Sequence, residues 1–151
     1  MKVGAADIFQ PVVADIKHCT AHKLRSLSRR VTQIYDEALS LHGLTIGQLG
    51  ILNVLSSTQG ISVTLLAKQV AVDASALSRL IKPLVAAGLA SIEANPNDRR
   101  AKMLRLTNEG IVRVSAANIA HGTAQSFMQN LLGTTRMTAL HHILDDSFAL
   151  L

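Results

Sequence analysis

The sequence predicts a mainly α-helical fold with one short β-hairpin set into it, and three observations predict this. Apolar residues recur in steps of three and four over long stretches near both ends of the chain. Two short helical stretches in the middle are separated by only two or three residues. After Gly88 the apolar period drops to two, on both sides of an Asn95-Pro96-Asn97-Asp98 turn. The 151 residues are 48% apolar, 17% charged and 3% aromatic, which is one globular domain's worth of chain and not a disordered tail.

The first helix runs from Ile16 to Leu41, where Leu24, Leu27, Val31, Ile34, Ala38 and Leu41 form one stripe, and Gly43 follows as a stop. Thr45 with Gln48 three residues on is a capping box opening a second helix to about Ser57. Ser56-Ser57-Thr58-Gln59-Gly60 is a turn by composition. Ser62 caps a short helix from Val63 to Val70, and Asp73 caps another that continues to about Ala87 and ends at Gly88. Leu89 to Ala94 and Met103 to Leu106 alternate as the strands of a hairpin whose tip carries Arg99, Arg100 and Lys102. Thr107 caps a long helix, about Asn108 to Leu131, broken at Gly133, and Thr134 or Thr135 begins a last helix to about Phe148.

No stretch approaches the roughly 18 uncharged apolar residues of a membrane span, and the start from Met1 to Phe9 carries Asp7 and lacks a signal-peptide core. The expectation is a cytoplasmic chain with no membrane partner. The single cysteine, Cys19, excludes an intramolecular disulfide, and a thiolate zinc cage would need help from His and carboxylates. The formal charge of +5 is unevenly spread. Lys17, Lys23, Arg25, Arg29 and Arg30 stand without an acid between residues 16 and 34, and seven bases face Asp73, Glu93, Asp98 and Glu109 between 61 and 110. Two concentrations of positive charge suit an acidic macromolecule.

A helix-turn-helix followed at once by a hairpin is a winged helix. Its second helix fits the B-DNA major groove, about 12 Å wide, while the hairpin tip reaches the adjoining backbone or minor groove. On the helix after Asp73, Leu77, Leu80, Ile81 and Leu84 repeat as an inward face, leaving Ser75, Ala76, Ser78, Arg79 and Lys82 as small, polar or basic residues free to read. A solvated basic face is the bland alternative for Arg79 and Lys82, and the adjacent cap and wing argue against it. Ser62 and Thr64, opening the preceding helix, and Asp98, Arg99, Arg100 and Lys102 at the wing complete the expected DNA-binding set.

The pattern Leu44-Thr45-x-x-Gln48, Ile51-Leu52, Leu66-Ala67, Ser78-Arg79-Leu80-Ile81-x-x-Leu84-x-x-x-Gly88-Leu89, Asp98-Arg99-Arg100 and Leu104-x-Leu106-Thr107-x-x-Gly110 resembles the multiple-antibiotic-resistance-regulator (MarR) family, in order and spacing. The resemblance implies a homodimeric winged-helix transcription factor, usually a repressor, released by a small phenolic or other organic acid or by cysteine oxidation. It implies a single domain over 1–151 with a DNA-binding lobe at 46–107. Helices at 7–43 and 108–151 would form the dimer interface, with the effector pocket between interface and lobe. The family's wing arginine falls on Arg100 and its aspartate on Asp98, where a carboxylate can hold the guanidinium extended for minor-groove insertion or simply cap the turn.

At 100° per residue, His18, His22, Arg25 and Arg29 share one face of the first helix, with Cys19 at its flank. Three readings compete for this cluster: a solvated basic face, an anion-binding wall of an effector pocket, and a metal site using His at i and i+4. The metal reading lacks nearby acids other than Asp15, so no metal or other cofactor is expected. Cys19 is either a thiol sensor activated by its basic neighbours or a small residue filling a gap. The reactive cysteine of peroxide-sensing family members lies about two residues later relative to the Leu-Thr motif. His42, His121, His141 and His142 are scattered and carry no assigned role. Paired carboxylates, a Gly-rich phosphate loop and a Ser-His-Asp pattern are all missing, so no catalytic residue is assigned and an enzyme is not expected. The remaining rivals are a winged helix that binds an acidic protein and a regulator switched by Cys19 oxidation.

Overall fold

The computed structural model describes residues 16–95 and 98–151. It is mainly helical, in the order α1 (Thr20–Leu39), a turn of 3-10 helix (Ser40–His42), α2 (Ile46–Ser56), β1 (Ile61–Ser62), α3 (Val63–Gln69), α4 (Ala74–Ala86), β2 (Ala90–Asn95), β3 (Asp98–Leu106), α5 (Asn108–Leu132) and α6 (Thr134–Leu150). The chain divides after Gln33 into two compact units, Met1–Gln33 and Ile34–Leu151. Expected helical residues 7–15 lie outside the described residues.

In the first unit the structure corrects the start of the first helix. Residues 16–18 form a turn, and the Cys19 carbonyl accepts the first helical bond from the Lys23 N–H at 3.0 Å, so α1 begins at Thr20. All side chains from Ile16 to Arg25 are exposed.

The second unit is organised around α2, whose leucines and Ile51 are buried while Gln48, Asn53 and Ser56 keep its polar side at or near the surface. Its Leu49, Ile51, Leu52 and Leu55 join one core cluster with Leu66 of α3, Leu77, Ile81 and Leu84 of α4, Leu104 of β3, and Val114 and Ala117 of α5. Burial of each such leucine contributes about 1.5–3 kcal/mol. The Thr45 capping box closes in both directions, Gln48 N–H to Thr45 Oγ1 at 3.3 Å and Thr45 N–H to Gln48 Oε1 at 2.9 Å. Asp36 of α1 accepts from the Ile46 N–H at 2.7 Å, which fixes the entry of α2 against the end of α1. Ser62, Asp73 and Thr107 cap α3, α4 and α5 as the sequence predicts.

The sheet has one strand more than the hairpin the sequence predicts. Ile61 pairs with Leu104 and Ser62 with Met103, giving the antiparallel order β1-β3-β2. Two residues are too few to display a period of two, so β1 had no sequence signature. β2 and β3 pair from Ala90 opposite Leu106 to Ala94 opposite Lys102, with a register shift between Ala94 and Asn95.

One corner ties α4, the sheet and α5 together. The Leu89 N–H bonds to the Leu84 carbonyl at 2.9 Å, and the Leu89 carbonyl accepts from the Thr107 N–H at 3.1 Å. The Thr107 hydroxyl donates to the Gly88 carbonyl at 2.6 Å and accepts from the Gly110 N–H at 3.0 Å. Here a glycine is required by close approach: a Cβ at Gly110 would run into the Leu89 carbonyl oxygen and stand 2.6 Å from Leu106 Cδ1.

Candidate nucleic-acid interface

Residues 70–73 turn the chain from α3 into α4, with Ala71 at φ 51°, a left-handed conformation that costs a non-glycine residue about 1–2 kcal/mol. The strain lets Asp73 take the N-cap position, where its carboxylate accepts from the Ala76 N–H at 2.8 Å. That bond holds the Asp73 carboxyl below its ordinary value. Slight desolvation opposes it, and the Ser75 N–H and the charge of Arg79 add to the lowering.

α4 then separates into two faces. Leu77, Ile81 and Leu84 are buried and Leu80 packs against the core, while Ser75, Ser78, Arg79 and Lys82 are exposed together on the opposite side. Arg79 and Lys82 make no hydrogen bond or ion pair with another described residue, so their donors are available to an outside acceptor. Ala76 is half-buried. The Ser62 hydroxyl accepts the Leu65 N–H at 3.2 Å, which makes it a helix cap, and Thr64 beside it is exposed.

In the wing, Lys102 is exposed near the tip, and Asp98, Arg99 and Arg100 open β3. Pro96 and Asn97, and the expected Asp98 to Arg100 side-chain pairing, lie outside the described residues. Further along the hairpin, Arg105 Nε meets Glu93 Oε2 at 3.1 Å, an ion pair between diagonal neighbours of β2 and β3.

Residues 42–101 match the family model described as MarR family. This segment of the chain is similar to the MarR family. The uncharacterized HTH-type transcriptional regulator YdgJ of Bacillus subtilis (strain 168) is 30% identical over 90 residues, 60% of this chain and 53% of that protein. The chain thus spans about half the length of the curated relative it matches. The transcriptional repressor CouR, bound to a 23-mer DNA duplex, superposes with a TM-score of 0.78 at 22% identity, covering 91% of this chain and 98% of that one. Bordetella bronchiseptica BpsR, whose DNA binding is regulated by 6-hydroxynicotinic acid, superposes with a TM-score of 0.77 at 22% identity, covering 87% of this chain and 94% of that one. Both structures share the winged-helix fold of this chain. The curated relative is described as a transcriptional regulator, and the CouR structure as a transcriptional repressor.

For the first-helix cluster the structure corrects the common face. His18 lies in the turn and Cys19 precedes the helix, so only His22, Arg25 and Arg29 project from α1 itself. All five side chains are exposed. Arg25 and Arg29 stand one helical turn apart without an ion pair to any described residue. Among the described residues no three His, Cys, Asp or Glu side chains gather as a metal site, and no single helix is long and apolar enough to cross a membrane.

Several contacts had no sequence signal because they join distant residues. The Tyr35 ring stacks on His121 with centroids 5.2 Å apart and its hydroxyl donates to Gln125, while burial pushes the phenol upward. Asn53 and Asn118 exchange two amide bonds of 3.1 and 3.0 Å between α2 and α5.

Proposed function

We propose that this chain is a DNA-binding transcriptional regulator that binds a pseudo-palindromic operator as a homodimer. In this reading it represses and is released by a small organic anion. The observation that carries the proposal is the two-faced α4: a buried leucine-isoleucine side locks the helix, and Ser75, Ser78, Arg79 and Lys82 on the other side offer hydroxyl and cationic donors beside a basic wing. Arg79 suits a bidentate base contact, and Lys82, Lys102 and Arg99 suit phosphates. Arg100 with Asp98 is assigned to the minor groove, and Ser62, Thr64 and Ala76 to the edge of the helix-turn-helix contact.

Dimerisation is supported by the terminal helices. Ile119 is 74% exposed and Phe148 82% exposed in the single chain, with Phe127, Leu131 and Ile143 also at the surface. An apolar surface of this kind on α5 and α6 calls for a partner, and a second copy covers it symmetrically. The effector reading rests on Arg25 and Arg29, two guanidiniums one turn apart that form no ion pair with the other described residues. His18, Cys19 and His22 are beside them, and the regulation of BpsR by 6-hydroxynicotinic acid is a parallel for the ligand class.

The test is fluorescence anisotropy with duplex tiles from the region upstream of the protein's own gene, against random duplex at the same salt. Specific binding about 10³-fold or more above random DNA is expected, from a species that light scattering sizes as a dimer. The half-site centres are expected about 10 to 10.5 bp apart. Equal affinity for all tiles, or a stable monomer at micromolar concentration, would overturn the proposal.

A further inference from the structure

We infer that Arg105 is a positioning residue for the wing: it clamps the foot of the hairpin to the turn after α2, and through that clamp sets where the wing tip meets DNA relative to α4. The consequence for DNA rests on the proposed function, while the clamp itself is a property of the folded chain. Arg105 lies outside the DNA-binding set read from the sequence.

Leu104 is fully buried, so alternation along β3 turns Met103 and Arg105 to the opposite face of the sheet, which Glu93 of β2, paired with Met103, shares. On that face Arg105 reaches in two directions. Its Nε pairs with Glu93 Oε2 at 3.1 Å, and its Nη1 donates to the Gln59 carbonyl. The turn carrying Gln59 is itself tied to α2, by the Ser57 N–H on the Val54 carbonyl and the Thr58 N–H on the Leu55 carbonyl, both at 3.2 Å. Gly60 permits the approach: a Cβ there would stand 3.2 Å from Arg105 Cζ, 3.3 Å from its Cγ and 3.1 Å from Met103 Cε, with φ at 128°. One guanidinium thus joins β3, β2 and the C-terminal end of the core helix α2.

An exposed ion pair adds little to stability. At 39% and 54% side-chain exposure, Arg105 and Glu93 therefore matter for geometry more than for the fold. The corner at Leu89 and Thr107 and the two-residue pairing of β1 with β3 hold the strand backbones, and Arg105 adds a side-chain tie between the hairpin and the α2 turn. From Arg105 back to Asp98, β3 runs about 20 Å at roughly 3.3 Å per residue. A tilt of about 10° at the foot moves the tip by about 3.5 Å, more than half the roughly 6 Å width of the minor groove. Arginine suits the clamp because its planar fork presents Nε and Nη1 to two acceptors at a fixed angle, whereas a lysine ammonium holds the same charge at one point.

The experiment compares the full chain with its Arg105→Lys, Arg105→Gln and Glu93→Ala variants by anisotropy on operator duplex at fixed salt. Each is measured alone and combined with Lys102→Ala on the wing or Arg79→Ala on α4. Both Arg105 variants should bind operator about tenfold more weakly, as loss of wing contacts to phosphate and minor groove implies, and lysine should not rescue. Lys102→Ala, which weakens the parent, should leave the Arg105 variants within about twofold of themselves, whereas Arg79→Ala should cost the same factor in every background. Glu93→Ala frees one arm of the clamp at an exposed position and should show the same coupling in smaller degree, which keeps the test decisive if an Arg105 variant misfolds. In ¹⁵N residual dipolar couplings of the DNA-free chain, the amides of 91–94 and 102–105 should share one orientation with those of α4 in the parent and leave it in Arg105→Lys. Parental affinity in Arg105→Lys, an equal cost of Lys102→Ala in both backgrounds, or wing couplings unchanged in every variant would overturn the inference. The two arms separate the two claims. A wing re-oriented in a protein that binds no duplex defeats the proposed function alone, and operator binding with an unmoved wing defeats this inference alone.

Discussion

Gly110→Ala probes the corner on which α4, the sheet and α5 converge. The added methyl would collide with the Leu89 carbonyl oxygen and stand 2.6 Å from Leu106 Cδ1, so backbone has to move, because no flexible side-chain end can absorb the whole overlap. Overpacking of this kind costs about 1–3 kcal/mol. If the start of α5 shifts to relieve it, the 3.0 Å bond from the Gly110 N–H to Thr107 Oγ1 weakens as well, a cap interaction of about 1 kcal/mol. Against these stands the better helix propensity of alanine, about 1 kcal/mol at most. The net expectation is a loss of about 2 kcal/mol, or roughly 4–8 °C in Tm for a chain of this size. Gly122→Ala in the same helix is the internal control, since a Cβ there meets nothing within 4 Å, and it should hold or slightly raise stability. Calorimetry at one fixed protein concentration, to remove the concentration dependence of a dimer, compares the three proteins. A Gly110→Ala protein as stable as its parent, or a Gly122→Ala protein equally damaged, would refute the argument from close approach.

Arg79→Ala or Ser75→Ala should reduce discrimination between operator and random duplex, by about 1–3 kcal/mol where a bidentate base contact is lost. Lys102→Ala should weaken both duplexes alike and lower the salt slope by about one; identical behaviour of all three variants would show that α4 does not read bases. Ala71→Gly relieves a left-handed alanine at φ 51° and should stabilise the fold by about 1 kcal/mol in urea titration, less the entropy glycine gives the unfolded chain; a loss of stability would sink the strain assignment. Asp73 is held below its ordinary value of 3.8, chiefly by the Ala76 N–H, so its charge contributes stability that is complete above that value and fades as pH falls through the lowered one. Asp73→Asn retains a capping oxygen, so the Tm advantage of the parent should be present at pH 6 and shrink below about pH 4; a gap independent of pH would contradict the charge argument.

Local chemistry made most of the fold legible. Thr45, Ser62, Asp73 and Thr107 announced four helix starts because an N-cap is settled within three residues of itself, and the inward face of α4 followed from spacing alone. What stayed hidden depends on residues far apart in the chain. The pairing of Ile61 with Leu104, the hold of Arg105 on Gln59, and the Asn53 to Asn118 exchange across 65 residues have no periodicity to betray them. Ala71 was illegible for another reason: alanine carries no preference for positive φ, so the helix-turn-helix turn imposes that conformation against the local propensity. In the first helix the apolar stripe begins only at Leu24 and does not mark the start, so extending the helix back to Ile16 puts His18, which lies in the turn at 16–18, on a face it does not share.

The corner at Gly88, Leu89, Thr107 and Gly110 also constrains how a movement can reach α4 and the wing. α4 hands the chain to β2 at Gly88–Leu89, and β3 hands it to α5 at Thr107. The two handovers are joined by the Thr107 N–H on the Leu89 carbonyl and the Thr107 hydroxyl on the Gly88 carbonyl. α4, the wing and α5 are therefore fixed in one frame. A tilt of α5 that keeps these bonds carries α4 and the wing with it as a body. A tilt that breaks them leaves backbone carbonyls unpaired at about 1–3 kcal/mol each where water cannot replace the partner. The first route costs less. On the proposed function, a ligand bound against α5 would change DNA affinity by re-aiming an intact unit of α4 and wing relative to its copy in the dimer, and not by deforming α4. With two half-sites about one helical turn apart, as that proposal requires, a small change in aim would put one α4 out of its groove while the other stays seated.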